Sequence, residues 1–190
     1  IMKSSGNKVG IAVFISGTGT NLKNLINFSK KNNLFKVKLV ISNKRNAKGL
    51  IFAKKNKINT KVYYLKAKLK DERKILNNLK KNKIKIICLA GFMKILSKNF
   101  IKKFNGKIIN IHPSLLPKYK GLNTHSRVLD NNEKYSGCTV HFVNSKLDSG
   151  KIILQKKVKI LQNDTSLTLQ KRVLKQEHKI YPKALRIILS

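Results

Sequence analysis

An asparagine and a histidine stand two residues apart at the end of an apolar run, in the string Asn110-Ile111-His112-Pro113. Residues two apart on a β-strand point to the same face, so we expect Asn110 and His112 to lie side by side. Pro113 favours an extended backbone at His112, which holds that geometry. Imidazole can exchange protons with an amine near neutral pH, and an Asn amide can donate to an oxyanion. The pair predicts acid–base chemistry, although a lone strand-end histidine is usually an ordinary surface residue.

A carboxylate follows later, in the string Leu147-Asp148-Ser149-Gly150 between the last two apolar runs. Its simplest interpretation is a hairpin turn, in which Asp and Gly are common. The functional interpretation is that Asp148 pairs with His112, favours the charged imidazole and raises the pKa of His112. The sequence alone does not show whether the two side chains meet.

A glycine-containing loop, Ser16-Gly17-Thr18-Gly19-Thr20-Asn21, follows the first apolar run and opens a helical pattern. Glycines let a backbone approach an anion closely, and a helix N-terminus presents N–H groups and partial positive charge to it. The loop lacks the third glycine of a dinucleotide fingerprint and the Gly-Lys-Ser/Thr of a P-loop. It predicts a phosphate site, and the alternative is an ordinary strand-to-helix turn with Asn21 near the cap.

The elements that must position these residues alternate between strand and helix. Apolar runs predict strands at Lys8–Ile15, Lys36–Ser42, Thr60–Leu65, Ile84–Leu89, Lys107–His112, Tyr135–Val143 and Lys151–Ile160. Helical spacing predicts helices at Asn21–Lys31, Ala47–Asn56, Asp71–Asn82, Ser97–Phe104, Thr124–Asn131 and Ser166–Leu189, the last interrupted at Pro182. We therefore expect an α/β fold: a Rossmann-like, mostly parallel sheet with helices on both faces and a late antiparallel strand pair. In such sheets ligands bind at the carboxyl ends of the strands, where each motif above stands.

Length and composition indicate one domain over residues 1–190, with residues 1–7 as a flexible tail. The net charge of +36 invites a nucleic-acid interpretation. The lysines are, however, spread along the chain, as AT-rich coding would produce, so we expect no specific nucleic-acid function. No run is long and apolar enough to span a membrane, and no apolar signal-peptide core is present. Cys88 and Cys138 lie in apolar runs, which favours buried thiols in a reducing, cytoplasmic setting.

The Asn110–Pro113, Leu147–Gly150 and Ser16–Asn21 strings, together with "CLAGFMKILS" (Cys88–Ser97), are characteristic of one known family. The sequence resembles the phosphoribosylglycinamide formyltransferases, a family of folate-dependent enzymes, from about Lys8 to Pro182. The string "IHPSLLPKYKG" (Ile111–Gly121) is typical of folate-type formyltransferases, and "GCTVHFV", "LDSG" and "QEHKIYP" follow in the family's order. The Ser-Gly-Thr-Gly-Thr-Asn loop is similar to the ribonucleotide-phosphate loop of this family.

The resemblance implies a catalytic centre of Asn110, His112 and Asp148. The implied reaction moves a formyl group from 10-formyltetrahydrofolate, the co-substrate, to the amine of glycinamide ribonucleotide in purine biosynthesis. Asn110 and protonated His112 would stabilise the oxygen of a tetrahedral intermediate, and His112 would shuttle protons. Asp148 would orient His112 and keep it protonated. No metal is implied.

The resemblance also implies binding residues. Gly19, Thr20 and Asn21 match the phosphate-binding positions, and Glu177 matches a second ribonucleotide contact, although it could be a solvated helix carboxylate. The residues that match folate-binding positions are Lys68, Met93, Lys94, Ile95, Leu96 and Asn110. The match at Lys68 is weak, since no motif surrounds it. Lys120-Gly121-Leu122-Asn123-Thr124-His125 departs from the family's Pro-Gly-Leu-His-Thr-His, so a role for its first histidine is absent here.

Three other functions are compatible with parts of the sequence. Methionyl-tRNA formyltransferase would suit the basic charge but needs a further C-terminal domain, and formyltetrahydrofolate hydrolase usually has an extra N-terminal one; neither is expected here. A basic RNA-binding module would need interleaved exposed aromatic residues, but aromatics are 7% of the chain with no Trp. We therefore expect an enzyme acting on small molecules as a monomer or homodimer, without nucleic-acid or membrane partners.

Overall fold

The computed structural model describes residues 8–190, and the flexible tail expected at residues 1–7 lies outside them. The chain divides into two compact units. The first unit comprises Ile1–Lys94 and Lys102–Lys107, and the second comprises Ile95–Ile101 and Ile108–Ser190. The single-domain organisation expected from the sequence stays a prediction, and each unit has its own packing.

The strands of the first unit are parallel, and all but the third are largely buried. They are β1 (Val9–Ile15), β2 (Phe35–Ser42), β3 (Asn59–Val62) and β4 (Ile86–Leu89), in the order β3-β2-β1-β4. Ile11 is the register partner of Val37 on one side and of Ile86 on the other. Near-continuous apolar sequence in β1 and β4 fits strands that are covered on both faces.

Helices α1 (Thr20–Lys30) and α2 (Gly49–Lys55) pack on these strands, and α3 (Lys68–Lys81) lies between β3 and β4 in the chain. α1 buries Leu22, Leu25 and Ile26 on one face, at the spacing of an amphipathic helix, and packs against α2 and β2. α4 (Lys98–Lys103) begins in the second unit and ends in the first. The loop between β1 and α1 is therefore placed by two well-packed elements.

Antiparallel strands form the second unit. β5 (Lys107–His112) pairs with β6 (Tyr135–Phe142), and β6 pairs with β7 (Ile152–Lys159). α5 (Thr124–Asp130) lies between β5 and β6 in the chain, and α6 (Ser166–Leu189) packs on β6 and β7. The predicted fold class, mostly parallel with a late antiparallel pair, is confirmed, and each predicted element is present with ends shifted by a few residues.

α6 runs without a break through Pro182, so the interruption predicted there is wrong. Pro removes one helical N–H and crowds the preceding turn, which usually ends or kinks a helix. Here Tyr181, Ala184 and Leu185 on both sides of the proline are fully buried. Packing of this face against β6 and β7 outweighs the local preference.

Both cysteines are buried thiols without a disulfide, as the sequence predicts. Cys88 lies on β4 and Cys138 on β6, and each has no solvent-exposed surface. Burial, with a smaller contribution from the nearby Glu177 carboxylate, raises the pKa of Cys138 to about 12. This thiol is therefore protonated and unreactive in the folded chain.

Candidate active site

The glycine-containing loop of the first unit is held by a close glycine–glycine contact. Gly19 is the N-cap residue of α1 and has a left-handed backbone with φ of 73°. A Cβ added there would lie 2.4 Å from the Cα of Gly49. The Gly49 N–H also donates to the Gly17 carbonyl oxygen at 3.0 Å. Only glycine satisfies both the backbone angle and the available space at position 19.

The same loop leaves the N-terminus of α1 suited to an anion. Thr20 and Asn21 are the first two residues of the helix, and no acidic residue lies in the first turn. The first N–H groups of a helix have no partner within the helix and carry partial positive charge. Gly19 is the cap residue, and Asn21 lies two residues after it, near the cap as expected.

A hydrogen-bonded chain in the first unit fixes the backbone at Met93. The Ser16 hydroxyl donates to the Asn43 side-chain oxygen at 2.5 Å, and the Met93 N–H donates to the Ser16 hydroxyl oxygen at 2.7 Å. The side chains of Met93 and Ile95 are 59% and 67% exposed, respectively. An exposed apolar segment on a fixed backbone can bind a flat apolar ring.

The other residues matched to folate binding are placed differently. Lys94 is exposed, as is Lys68 at the first position of α3. Leu96 is buried, at 5% exposure. Their roles stay predictions.

In the second unit, Asn110, His112 and Asp148 lie together. His112 Nδ1 is 3.3 Å from one Asp148 carboxylate oxygen, and Asn110 Nδ2 is 3.5 Å from the other. Asn110 and His112 share one face at the end of β5, and Asp148 lies in the connection between β6 and β7. The side chains of His112 and Asp148 are 6% and 8% exposed, so their charges are little screened by water.

Asp148 is fixed by its backbone as well as by its side chain. It has a left-handed φ of 44°, which Asp tolerates better than most residues. The Gly121 N–H donates to its second oxygen at 2.9 Å. Burial raises the pKa of Asp148, but the contact with His141, the Gly121 N–H and His112 together hold this pKa below its usual value. Asp148 is therefore a carboxylate at neutral pH.

Both ring nitrogens of His112 face hydrogen-bond acceptors. Nε2 lies 2.8 Å from the Tyr119 carbonyl oxygen, and Nδ1 faces Asp148. Only the protonated ring can donate to both. Burial nevertheless lowers the pKa of His112 and outweighs the opposing contributions of Tyr119 and Asp148, while His141 lowers it further. Asp148 raises the pKa of His112, as the predicted pairing implies, but desolvation is the larger effect and the net shift is downward.

A second histidine, His141, belongs to the same cluster and was not predicted from the sequence. It is the register partner of Asn110 across the β5–β6 pair. Its Nε2 lies 3.3 Å from Asn110 Nδ2 and 3.6 Å from Asp148 Oδ1, and its Nδ1 lies 2.8 Å from the Phe142 carbonyl oxygen. The only signal in the sequence is a polar residue in the apolar string "GCTVHFV".

The segment that supplies the Tyr119 carbonyl is held by side chains around it. The Tyr119 hydroxyl donates to Glu133 at 2.9 Å, and the Arg127 guanidinium lies 5.4 Å from the centre of its ring. Closer to β5, the Thr139 hydroxyl donates to the Ser114 carbonyl oxygen at 2.7 Å. These bonds give the carbonyl that faces His112 a defined position.

Two further residues of the second unit were singled out in the sequence. Glu177 on α6 is 8% exposed, so its interpretation as a solvated helix carboxylate is wrong. His125, in the last position of the altered Gly-Leu-Asn-Thr-His string, is buried, and its Nδ1 has no hydrogen-bond partner among the described residues. Burial and, to a smaller extent, His112 lower the pKa of His125.

None of the helices in residues 8–190 combines the length and the apolar content that a membrane span requires. Within the same residues, no group of three or more His, Cys, Asp or Glu side chains could hold a metal ion.

Comparison with known proteins covers nearly the whole chain. The family model described as "Formyl transferase" matches residues 9–185. The phosphoribosylglycinamide formyltransferase of Haemophilus influenzae is 44% identical over 176 residues, which are 90% of this chain and 83% of that protein. A solved phosphoribosylglycinamide formyltransferase structure from Coxiella burnetii superposes with a TM-score of 0.91 at 40% identity, covering 96% of this chain and 87% of that one.

A longer relative is also similar. The trifunctional purine biosynthetic protein adenosine-3 of Gallus gallus is 46% identical over 99% of this chain. The chain spans 19% of the length of that protein.

Proposed function

We propose, from the premise that this chain belongs to the formyl transferase family, that it is a phosphoribosylglycinamide formyltransferase. The proposed reaction transfers the formyl group of 10-formyltetrahydrofolate to the amine of glycinamide ribonucleotide. The observation that carries this proposal is the buried cluster of Asn110, His112 and Asp148 in the second unit. Relatives named for this reaction, similar over most of the chain, support the choice of substrates.

The cluster supplies what formyl transfer to an amine requires. The amine attacks the formyl carbon, the formyl oxygen gains negative charge, and the amine loses a proton that the leaving nitrogen must gain. Asn110 donates an N–H to that oxygen, and His112 transfers the proton. Asp148 stabilises the protonated form of His112 during the transfer and fixes the orientation of its ring.

The low pKa of His112 fits a proton-transfer role. A buried imidazole releases its proton readily, because its charged form is poorly solvated. The Tyr119 carbonyl and Asp148, which face its two ring nitrogens, raise the pKa of His112 and so stabilise its charged form. A group balanced in this way can accept a proton from the amine and pass it to the leaving nitrogen.

Other residues supply the remaining proposed contacts to the substrates. The N-terminus of α1, with Gly19, Thr20 and Asn21, binds the ribonucleotide phosphate. Met93, Lys94, Ile95 and the Leu96 backbone hold the folate ring, and Lys68 is a further folate contact. Glu177 is a second ribonucleotide contact in the second unit, and Asn110 also contacts the folate. The proposed enzyme uses no metal and acts on small molecules in the cytoplasm.

One assay tests the proposed function. Purified protein is mixed with 10-formyltetrahydrofolate and glycinamide ribonucleotide, and the folate product is followed by absorbance. We expect turnover that depends on the ribonucleotide amine, and an activity at least about a hundredfold lower in the His112→Ala variant. Folate turnover without the amine would indicate a hydrolase instead, and no turnover with either would reject the transferase. Wild-type activity in a folded His112→Ala variant would reject the assigned centre.

A further inference from the structure

We propose that His141 is a positioning residue: its neutral imidazole, with the proton on Nδ1, accepts a hydrogen bond from the Asn110 amide and fixes the direction in which that amide faces. This inference rests on the proposed function, because it concerns how Asn110 is presented to the reacting group.

His141 is placed against Asn110 by strand pairing. The two residues are register partners in the antiparallel β5–β6 pair, where facing side chains approach closely. His141 is 2% exposed, and its Nε2 lies 3.3 Å from Asn110 Nδ2. A buried imidazole needs partners for both nitrogens, since water does not reach it.

The Nδ1 end of the ring determines where the proton is. Nδ1 lies 2.8 Å from the Phe142 carbonyl oxygen, which can only accept a hydrogen bond. Nδ1 must therefore carry a hydrogen. In the neutral ring, Nε2 then has a lone pair and no hydrogen, and it must accept from its neighbour.

Asn110 independently requires the same arrangement. The atom assigned as Asn110 Nδ2 also lies 3.5 Å from Asp148 Oδ1, and the Gly121 N–H donates to the other Asp148 oxygen. If the amide were turned by 180°, its oxygen would face a carboxylate oxygen at this distance, and two acceptors would repel. The amide nitrogen therefore faces the cluster, and it meets the Nε2 lone pair of His141.

The competing arrangement is a charged His141 that donates from Nε2 to Asp148. Such a donor would lower the pKa of Asp148, but the separation of 3.6 Å is longer than the 3.3 Å between Nε2 and Asn110 Nδ2, and the donated hydrogen would face the Asn110 N–H groups. The titratable groups beside His141 are Asp148 in the β6–β7 connection and His112 on β5, whereas its register partner on β7 is the uncharged Ile152. Asp148 is shared with His112, so it is not a dedicated partner for a second charge.

This arrangement assigns the two N–H groups of Asn110 different tasks. One N–H is bound to His141 and prevents rotation of the amide. The other has only the long contact to Asp148, so it is the donor available to the formyl oxygen. Without the acceptor on His141, the amide could turn and present its oxygen to the reacting group, which would repel the developing negative charge.

The proton position is measurable in the free protein. The full chain is labelled with 15N histidine, and a long-range 1H–15N correlation spectrum at about pH 8 gives the protonation state of each ring. The His141→Gln variant identifies the His141 signals by their loss. We expect a protonated Nδ1 and an unprotonated Nε2. A hydrogen on Nε2, with or without one on Nδ1, would overturn the proposal, whatever reaction the protein catalyses.

Two variants at the same position then test the effect on the reaction. The side-chain oxygen of Gln in His141→Gln can accept from Asn110 where Nε2 does, whereas His141→Leu fills the space without an acceptor. We expect kcat to fall by about tenfold to a hundredfold in His141→Leu, with both KM values little changed, and to stay near the wild-type value in His141→Gln. Equal losses in the two folded variants, or none in His141→Leu, would overturn the positioning role. If the wild type shows no formyl transfer, the proposed function fails and the spectrum still decides the proton position.

Discussion

At the scale of single residues, Asp148 has the most demanding position in the candidate centre. Its two oxygens face His112, Asn110 and the Gly121 N–H, and its backbone is left-handed. Asn is the residue that can replace it with the least backbone strain, because Asn also tolerates this conformation. A change from carboxylate to amide therefore isolates the charge.

We expect Asp148→Asn to fold normally and to lower kcat by about a hundredfold or more, because the charged form of His112 loses its stabilising partner. The matched control is Asp164→Asn. Asp164 lies just before α6, far along the chain from Asn110 and His112. Its carboxylate pairs with Arg172 and accepts a hydrogen bond from the Leu161 N–H. This control should lose thermal stability and keep kcat. Steady-state kinetics and thermal unfolding of both variants measure the difference, and equal kinetic losses would contradict the prediction.

The residue types in the sequence were enough to predict the grouping of Asn110 and His112, because a two-residue spacing on a strand fixes the shared face. They did not show that Asp148 approaches this pair, which depends on the antiparallel pairing of β6 and β7. The Tyr119 carbonyl and the Gly121 N–H were missed for a different reason. Backbone groups occur in every residue, so nothing in the residue type indicates which of them will bind a side chain.

At the scale of elements, the β1–α1 loop depends on one glycine much more than on its neighbour. A Cβ at Gly19 would meet Gly49, and φ there is positive, whereas a Cβ at Gly17 would have no atom within 4 Å. The chain therefore provides a matched pair of Gly→Ala changes within one loop. The comparison separates backbone strain at the helix cap from the general effect of adding a methyl group.

We expect Gly19→Ala to lower the free energy of unfolding by about 1–2 kcal/mol or more, through the left-handed backbone and the overlap with α2. It should also raise the KM for the ribonucleotide far more than the KM for the folate, since the loop is proposed to bind phosphate. Gly17→Ala should change the free energy of unfolding by less than about 0.5 kcal/mol. Urea unfolding and steady-state kinetics measure both. Equal rises in the two KM values would leave the loop only a structural role.

Elements were easier to predict than their pairing. Alternating apolar runs and helical spacing located the strands and helices, including the whole of β5. Strand register was not available, because apolar residues fit equally well against many partners. His141 was missed on this account: its position opposite Asn110 follows from the β5–β6 register, not from its place in an apolar strand.

At the scale of the whole molecule, stability should depend on pH through buried histidines. Burial lowers the pKa of His112, His125 and His178 below the ordinary value of 6.5. Below this pH the unfolded chain binds more protons than the folded chain. The free energy of unfolding is therefore highest above pH 6.5 and falls as the pH drops through the folded-state pKa values. Each histidine contributes at most about 1.4 kcal/mol per pH unit.

Urea unfolding at about pH 7.5 and about pH 5.5 measures this loss. His178→Gln removes one of the three groups and should reduce the difference between the two pH values. Three carboxylates have lowered pKa values: Asp148 and Asp164, with an ordinary value of 3.8, and Glu133, with an ordinary value of 4.5. Their stabilisation is lost below this window and does not contribute to the difference. An unfolding free energy that is the same at the two pH values would contradict the burial of neutral histidines.

Cys88 and Cys138 can each be used to detect local unfolding of the unit in which it lies. One lies on β4 of the first unit and the other on β6 of the second, and neither has exposed surface. A thiol reacts as its thiolate and only where a reagent can reach it. Both cysteines are therefore unreactive towards a thiol reagent while their strands stay packed. Each thiol becomes reactive when its own strand separates from its neighbours. The chain thus contains two native probes of local unfolding, and the rates at which a thiol reagent modifies them compare the stability of the two units without an introduced cysteine.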